Sequence, residues 1–462
     1  MNIVLIVVDS LRACSLRGGR PGAPHTPFLD SLGRETLTFR RAYASECWTL
    51  PSHMSMFTGL LPSEHGAHFQ SMAYGAPAPT IAELLATAGY HTEILTRNSL
   101  FDGTVAGATR GFRVNTRVIA DLGCGVGPFF TLAFALCKPR VRRLIEASGF
   151  FSLLQKQRRD FLVTLARLGL PADRPLLERA LETMACHRRH GTPYFLFLNL
   201  YDVHAPYCPS PGSPLRSWRA PAGCVENVML PWLLPKVSSH AYLRPGFRLG
   251  ERSRRMLLAR YHRAIELMDA KLERFYRSAR GAGLLDDTLL VVTSDHGEAF
   301  GEHDLFFHDA SVYETHLHVP LWIHHPALAP AAIDDVVSTR DLFALFQAVG
   351  LKGGLAGTVL DGAARSARPV ALAEHFHYPF TNGLLERYRQ NLAAAVVGRR
   401  KLVVRREGVL QYDVERDADE RAPELSTVAA FAAACRADGL PSGAIAPAVE
   451  HLRRWETTAV AA

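Results

Sequence analysis

Short apolar runs alternate with longer amphipathic stretches over most of the chain, and this alternation predicts the fold. Each run is nearly continuous in apolar residues, which is typical of strands buried on both faces of a parallel sheet. The predicted strands lie at residues 3–8, 92–95, 194–200, 288–292 and 319–323. The sequence therefore predicts the α/β class, with a mostly parallel central sheet flanked by helices.

One amphipathic helix is predicted just ahead of the fourth strand. Its apolar positions recur at helical spacing, and Gly281 and Gly283 follow them as residues that end a helix. The recurring positions are Leu257, Tyr261, Ala264, Ile265, Met268, Leu272 and Phe275. We interpret this apolar stripe as the face that packs on the core.

Two segments depart from the alternation. From about residue 103 to residue 190, basic residues are interleaved with apolar ones, which predicts a helical insertion with basic amphipathic faces. A solvated face over a cap domain is the favoured interpretation, and contact with lipid or an acidic substrate is the alternative. From about 208 to 249 the chain is rich in Pro, Gly and Trp, which predicts an irregular surface insertion that shapes substrate entry.

The last part of the chain has a different character. After about residue 352 it becomes rich in Ala and Gly, and short strand-like runs follow at 392–397, 402–405 and 410–414. These runs predict a short antiparallel sheet. We therefore expect a catalytic domain over residues 1–352 and a smaller C-terminal α+β subdomain over residues 353–462. Residues 457–462 are expected to be frayed.

Composition is that of an ordinary globular protein, since 48% of the 462 residues are apolar and 21% are charged. The formal net charge of +8 suits phosphate or sulfate esters, nucleic acid or anionic lipid, and does not distinguish between these partners.

No apolar run is long enough to span a membrane, and the run before Asp9 is too short for a signal peptide. The cysteines show no paired spacing typical of zinc or redox sites. A cytoplasmic location is expected.

Polar side chains able to bind a cation follow two of the predicted strands. Asp9 comes directly after the first strand, and Asp295 and His296 come after the fourth. Ligands of an open parallel sheet bind outside the carboxyl ends of its strands, where residues remote in sequence converge. A single acid in this position is usually a helix cap. Two carboxylates, an imidazole and a hydroxyl together form a suitable ligand set for a divalent cation.

The hydroxyl is supplied by Thr49, which stands just ahead of Pro51, Ser52 and His53 and a short apolar stretch that ends at Gly59. This arrangement has two interpretations. Thr49 can cap the start of a helix, or it can be a nucleophile at a helix N-terminus, where backbone N–H groups receive an anion. The joint occurrence with the cation ligands favours the nucleophile.

Histidines in later loops are candidates for contact with an anionic group. His204 lies in the segment that follows the third predicted strand, where it could donate to a transferred oxyanion or a leaving group. His303 and His308 lie downstream of His296. A histidine in such a loop is more often a surface residue than a ligand.

Taken in order, the motifs of this chain resemble the sulfatase family of the alkaline phosphatase superfamily. They are Val8-Asp9-Ser10-Leu11-Arg12, Thr49-Leu50-Pro51-Ser52-His53 leading to Thr58-Gly59, Asp202-Val203-His204-Ala205-Pro206-Tyr207, Thr293-Ser294-Asp295-His296-Gly297-Glu298, and Gly301-Glu302-His303 through His308 to Val319-Pro320-Leu321. The resemblance runs from the first strand to about residue 351. Residues 412–417 are similar to the family's C-terminal subdomain.

The resemblance implies a metal-dependent enzyme that forms a covalent ester between its nucleophile and a phosphoryl or sulfuryl group. The metal ligands it implies are Asp9, Thr49, Asp295 and His296. The catalytic positions it implies are the nucleophile Thr49 and the substrate contacts His204 and His308. Substrate-binding positions follow at His53 and, as a weaker correspondence, Asn98.

The motifs also depart from the family. Typical sulfatases carry Cys-x-Pro-x-Arg and convert the Cys to formylglycine, whereas this chain has Thr49 and His53 at those positions, and Cys47 stands two residues too early. Ser10 replaces the second of two adjacent acids. A formylglycine hydrate expels sulfate by collapsing to the aldehyde, but a Thr ester needs a second attack at phosphorus or sulfur. The change favours phosphoryl chemistry or group transfer, and the site is also similar to that of Thr-dependent phosphoglycerol and phosphoethanolamine transferases.

We therefore expect a metal-dependent hydrolase or transferase that acts on a phosphate mono- or diester through a covalent Thr49 intermediate. The expected cofactor is a divalent cation (Mn²⁺, Zn²⁺, Ca²⁺ or Mg²⁺), and the expected partner is a small-molecule phosphate or sulfate ester. Nucleic acid is not expected, contact with a membrane surface is less favoured, and the sequence favours no oligomeric state. Two alternatives stay open: a sulfatase that works without formylglycine, and a catalytically silent binding protein on the same fold.

Overall fold

The computed structural model describes residues 1–16, 22–103, 105–114, 174–205, 207, 237, 241–308, 310–367, 369–377 and 384–459. Most of the predicted helical insertion (115–173) and most of the predicted irregular insertion (208–236 and 238–240) lie outside these residues.

An eight-stranded sheet forms the centre of the N-terminal part of the chain. Its strands are β1 Asn2–Val8, β2 Leu37–Tyr43, β3 His91–Thr96, β4 Arg113–Val114, β5 Tyr194–Leu200, β6 Thr288–Thr293, β9 His318–His324 and β10 Ala331–Ser338; β7 Ala299–Phe300 and β8 Phe306–Phe307 form a separate hairpin. The strand order is β10-β2-β9-β6-β1-β5-β3-β4. Every neighbouring pair is parallel except those of β9, which runs antiparallel to β6 and β2.

Strand β1 is the central element because it pairs in parallel with β5 on one side and β6 on the other. Val8 is in register with Leu200, and Val7 with Thr293. The carboxyl ends of the three strands therefore meet at one edge of the sheet. Residues 3–8 are all fully buried, which explains why the strand reads as a continuous apolar run.

Helices cover both faces of the sheet. In chain order they are α1 Pro27–Leu32, α2 Thr49–Thr58, α3 Pro62–His65, α4 Ile81–Thr87, α5 Arg174–His190, α6 Glu251–Gly281, α7 Glu314–Leu317, α8 Leu342–Gln347, α9 Gly362–Ala367, α10 Val428–Ala437 and α11 Ser442–Ala459. Helices α1, α5 and α6 pack on the face that carries Val4, Ile6 and Val8. Helices α2, α4 and α8 pack on the opposite face, with Ile3 and Leu5. None of the helices in the described ranges combines the length and the apolar character needed to cross a membrane.

The C-terminal part is an α+β unit, as predicted. Strands β11 Val370–His375, β12 Leu392–Val397, β13 Arg400–Arg405, β14 Gly408–Asp413 and β15 Glu424–Leu425 form an antiparallel sheet in that order. Helices α10 and α11 pack on one face. The other face packs against the N-terminal part through Tyr43, Val312 and Val336.

The predicted fold class is confirmed, and the five predicted strands correspond to β1, β3, β5, β6 and β9. The predicted helix is the central part of α6 and ends at Gly281. The expected fraying from residue 457 was wrong for 457–459, because α11 continues to Ala459 and the Thr457 hydroxyl donates to the Arg454 carbonyl.

Helix α5, which falls within the predicted insertion, places Leu176 and Met184 in the core. The predicted bounds of this insertion were therefore too wide, because residues 174–190 belong to the core fold.

Candidate active site

Three ligand-type side chains converge at the carboxyl edge of the sheet. Asp9 follows β1, and Asp295 and His296 follow β6; all three are fully buried. One donor atom from each lies within 4.8 Å of the others. His296 Nε2 is 3.3 Å from Asp295 Oδ2 and 3.8 Å from Asp9 Oδ1. The parallel register of β1 and β6 thus brings together residues that are far apart in sequence.

The hydrogen bonds of His296 assign its tautomer. Its Nδ1 is 2.9 Å from the carbonyl oxygen of Gly297, so Nδ1–H donates and Nε2 carries the lone pair. That lone pair faces Asp295 Oδ2, a buried oxygen with no hydrogen-bond partner in the described part of the chain. When Asp295 is ionised, these two acceptors repel each other, and a cation would relieve this repulsion. The residues present therefore fit a divalent metal ion.

Thr49 supplies a fourth candidate ligand, a hydroxyl oxygen, to this group. Helix α2 begins at Thr49, with Trp48 as the N-cap residue, and ends at Gly59, whose φ is 72°. The Thr49 hydroxyl is 3.3 Å from His296 Nε2, to which it donates. Thr49 therefore directs its hydroxyl to the ligand cluster rather than capping the helix. Thr49 is buried, with an exposed fraction of 4%.

The start of α2 is fixed against the loop after β6. The Ser52 hydroxyl donates to the main-chain oxygen of Asp295 at 2.6 Å. His53 donates from Nδ1 to the Thr49 carbonyl at 2.7 Å and lies 3.6 Å from Asp295 Oδ2. The ring of His53 is fully buried and packs against Phe101. Its assignment as a substrate-binding residue stays a prediction.

Burial dominates the electrostatics of the cluster. It raises the pKa of Asp295 well above its usual range, and the nearby Asp9 carboxylate adds to this effect. Burial also lowers the pKa of His296 well below its usual range, with a further contribution from His308. The pKa of His53 is lowered to about 4 by the same cause. His296 and His53 are therefore neutral near pH 7.

Two amides hold the second oxygen of Asp9. Asn98 Nδ2 and Asn199 Nδ2 each donate to Asp9 Oδ2 at 3.4 Å. The Ser10 hydroxyl donates to Asp9 Oδ1 at 3.0 Å, and the Ser10 N–H donates to Asp295 Oδ1. These donors orient both carboxylates. Asn98, predicted to touch substrate, thus also lies within hydrogen-bond distance of a predicted metal ligand.

A tyrosine of helix α6 holds the backbone of Ser10 in place. Ser10 has φ 66°, a conformation that non-glycine residues rarely adopt. Tyr261, from α6, donates its hydroxyl to the Ser10 carbonyl at 2.7 Å and accepts from the Arg12 N–H at 3.1 Å. Arg12 is buried and pairs with Glu302 at 2.8 Å. Helix α6 therefore sets the path of the chain directly after Asp9.

A row of imidazoles leads away from the cluster. The rings of His296 and His308 are stacked with centroids 4.3 Å apart, and His308 contacts His204 at 5.0 Å. His308 Nδ1 is 3.2 Å from Glu298 Oε1. His204 bonds to Tyr201 Oη through Nε2 and to the Ala205 carbonyl through Nδ1. The structure therefore places His308 beside the cluster and His204 one ring further out.

Sequence reasoning did not identify four of the residues that position the cluster: Ser52, Asn199, Tyr261 and Glu298. Asn199 had a usable signal, because it is the one amide in the otherwise apolar run of β5. Glu298 stood inside a quoted motif without an assigned role. Ser52 and Tyr261 had no local signal, since one is ordinary helix-start chemistry and the other belongs to the apolar stripe of α6.

A sequence model described as Sulfatase matches residues 1–349. The chain therefore belongs to the sulfatase family, which confirms the resemblance carried by the motifs.

Two curated relatives illustrate the family. The chain is 26% identical over 344 residues to the multifunctional alkaline phosphatase superfamily protein PehA of Trinickia caryophylli, covering 66% of this chain and 64% of that protein. It is 25% identical over 346 residues to the choline-sulfatase of Rhizobium meliloti (strain 1021), covering 71% and 63% respectively. The chain thus spans less than two thirds of the length of these relatives.

Among solved structures, the fold is similar to that of the phosphonate monoester hydrolase of Silicibacter pomeroyi. The TM-score is 0.63 at 19% sequence identity, and the match covers 99% of this chain and 96% of the other. At this identity the likeness shows a shared fold, and it includes the C-terminal subdomain.

Proposed function

We propose that this protein is a metal-dependent hydrolase or transferase that acts on a phosphate mono- or diester through a covalent ester of Thr49. The observation that carries the proposal is the position of the Thr49 hydroxyl. It lies at the first residue of α2 and donates at 3.3 Å into the buried cluster of Asp9, Asp295 and His296. A hydroxyl used only as a helix cap would bond back to α2 instead.

The residues present fit a divalent cation. Asp9, Asp295, His296 and the Thr49 oxygen would hold it, and it would lower the pKa of the Thr49 hydroxyl and polarise the bound ester. The neutral state of His296 keeps Nε2 available as a ligand. The amides of Asn98 and Asn199 hold Asp9 in place.

Thr49 Oγ attacks phosphorus, so that the Oγ–P bond forms as the bond from phosphorus to the leaving oxygen breaks. The Thr49 proton passes to solvent. The His308 imidazole, whose Nδ1 lies 3.2 Å from Glu298 Oε1, is placed to give a proton to the leaving oxygen. The positive end of the α2 dipole favours the transferred anion. Water or an acceptor alcohol then attacks phosphorus, the Oγ–P bond breaks, and Thr49 regains its proton.

The choice of phosphoryl over sulfuryl transfer rests on Thr49 itself. A Thr ester carries no second hydroxyl, so it cannot collapse to an aldehyde and must be cleaved by a second attack. The similar fold of a phosphonate monoester hydrolase supports this choice. The similarity to a choline-sulfatase supports the second candidate, a sulfatase without formylglycine.

The test combines intact-mass spectrometry with a matched pair of variants. Incubation with a phosphodiester should add the mass of the phosphoryl group with its remaining ester substituent at Thr49, and Thr49→Ala should abolish both adduct and turnover. Thr58→Ala is the control, because Thr58 lies at the other end of α2 and bonds to the Met54 carbonyl. Full activity in Thr49→Ala would overturn the covalent mechanism.

The alternatives are separated by two further measurements. Release of inorganic sulfate from an aryl sulfate, with no turnover of phosphate esters, would favour the sulfatase. No bound metal and no activity with added Mn²⁺, Zn²⁺, Ca²⁺ or Mg²⁺ would favour a silent binding protein.

A further inference from the structure

A second group of ligand-type side chains lies between the N-terminal part of the chain and the C-terminal subdomain. Glu46 and Cys47 stand just before α2, and His375 ends β11. One donor atom from each lies within 4.8 Å of the others. Within the described residues, this is the only such group besides the one formed by Asp9, Asp295 and His296.

The contacts of the group converge on a single atom. Glu46 Oε1 is 2.9 Å and Cys47 Sγ is 3.5 Å from the same nitrogen, His375 Nδ1. In a nucleophilic relay, the thiol and the carboxylate hold opposite nitrogens of the imidazole. Here Nε2 is buried and has no hydrogen-bond partner in the described part of the chain. The three ligand atoms therefore surround one point, and the imidazole is not placed to activate the thiol.

The spacing and the surroundings fit a metal ion. Two ligand atoms of one tetrahedral zinc ion lie roughly 3–4 Å apart, close to the distances found here. Glu46 and Cys47 are fully buried and His375 is 1% exposed. Glu46 Oε1 also accepts from the Cys47 N–H at 2.9 Å, whereas Glu46 Oε2 has no hydrogen-bond partner, and in the described ranges the carboxylate pairs with His375 but with no Lys or Arg. A buried carboxylate with one oxygen unsatisfied is costly, and a metal would reduce this cost.

We propose that Glu46, Cys47 and His375 form a second metal site, selective for Zn²⁺ or a similar borderline-soft divalent ion. Thiolate, imidazole and carboxylate are the donors that Zn²⁺ accepts, whereas Ca²⁺ and Mg²⁺ prefer oxygen alone. Binding forms the sulfur, nitrogen and oxygen bonds and releases the Cys47 thiol proton to solvent, with no change of oxidation state. A water molecule takes the fourth position.

The position of the site indicates a structural role. The Glu374 N–H donates to the Ser45 carbonyl at 3.0 Å, so β11 already contacts the segment that enters α2. Trp48 stacks on Phe69 with ring centroids 4.1 Å apart, and the rings of Phe69 and His375 form a T-shaped pair with centroids 6.1 Å apart. A metal at this point would join the C-terminal subdomain to the segment that carries Thr49.

The test uses Co²⁺ as the probe, because only a cobalt ion bound by thiolate gives an intense sulfur-to-metal charge-transfer band. The full-length protein is stripped with a chelator, reduced and titrated with Co²⁺ without oxygen. The ligands at the candidate active site contain no sulfur, so the band reports the second site alone. We expect the band in the wild type and in Asp295→Asn, and its loss in Cys47→Ser.

Cys186→Ser is the matched control, because Cys186 Sγ also lies near a histidine nitrogen, 3.8 Å from His190 Nδ1, but outside any three-ligand group. This variant should keep the band. If Cys47→Ser does not fold, His375→Gln replaces it, and zinc content by mass spectrometry should fall by one equivalent per chain in either variant. Absence of the band in the wild type, or its persistence in Cys47→Ser, would overturn the proposal.

Discussion

The Ser52 hydroxyl donates a 2.6 Å hydrogen bond to the main-chain oxygen of Asp295. Both groups are buried, and the bond joins α2 to the loop that follows β6. Since Thr49 and Asp295 belong to the two elements joined, this bond sets the distance between the predicted nucleophile and a predicted metal ligand. The hydrogen bond does not involve the reacting atoms, so Ser52 contributes by positioning the start of α2.

Ser52→Ala tests this role. Loss of a buried hydrogen bond costs about 1–3 kcal/mol, and we expect kcat/KM to fall about tenfold as the start of α2 moves away from Asp295. Ser55→Ala is the control, because Ser55 is also buried in α2 but contacts His65. Steady-state kinetics should show wild-type activity for Ser55→Ala. Equal losses in the two variants would mean that α2 is merely destabilised.

Asn199→Ala removes one of the two amides that hold Asp9 Oδ2. Removal of a group that orients a metal ligand typically lowers metal affinity or activity about 10–100-fold, and we expect a loss in this range. Calorimetric titration of the metal-free protein with Mn²⁺ measures it. Asn2→Ala changes a half-buried Asn at the opposite end of β1 and should bind metal like the wild type. Unchanged affinity in Asn199→Ala would show that Asn98 alone suffices.

Gly297→Ala should disrupt the site through sterics alone. A Cβ at residue 297 would lie 2.0 Å from the Thr315 carbonyl oxygen, so the chain must shift at the residue next to His296. We expect the free energy of unfolding to fall by about 3 kcal/mol and metal binding to be lost. Urea unfolding measures the first effect. Gly75→Ala is the control, because a Cβ there meets nothing within 4 Å.

His65 should make the protein sensitive to acid. Burial lowers the pKa of His65 from 6.5 to about 3. Its Nδ1 accepts from the Ala67 N–H at 3.1 Å, which requires the neutral ring. The unfolded chain therefore binds the proton first as the pH falls, so the stabilisation is complete above about pH 6.5 and declines toward pH 3. The slope is about 1.4 kcal/mol per pH unit for one group.

Urea unfolding between pH 7 and pH 4.5 checks the contribution of His65. We expect His65→Gln to be less stable than the wild type at pH 7 but to lose stability more slowly on acidification. His25 is exposed, so His25→Gln should keep the wild-type slope. Parallel slopes for all three proteins would show that other groups cause the acid sensitivity.

Much of the fold could be predicted because the central strands are buried on both faces. Strand β5 is apolar except for Asn199, and its predicted and observed bounds coincide. Strands β2 and β10 were missed because charges interrupt them. Arg40 of β2 and Asp334 of β10 form an exposed ion pair at 3.1 Å, a cross-strand contact that a search for apolar runs cannot find.

The candidate site, like the fold, could be predicted only in part. Asp9, Asp295 and His296 follow strands that the pattern revealed, so their convergence followed from the rules of parallel sheets. The neighbours of Cys47 could not be inferred in this way, because His375 lies 328 residues away in a different sheet. Only the packing of the C-terminal subdomain against the segment before α2 brings them together.

Strand β9, which runs antiparallel to both of its neighbours in the described central sheet, limits when the site can form during synthesis. In the central sheet β2 bonds only to β9 and β10, and both come from the chain after residue 317. Asp9, Asp295 and His296 can therefore be aligned by β1 and β6 before β2, and the helix α2 that follows it, has a place to dock. For a nascent chain that ends before β9, we predict that Asp9, Asp295 and His296 can be aligned while Thr49 is not yet in place, so that the Thr49 hydroxyl joins the site last.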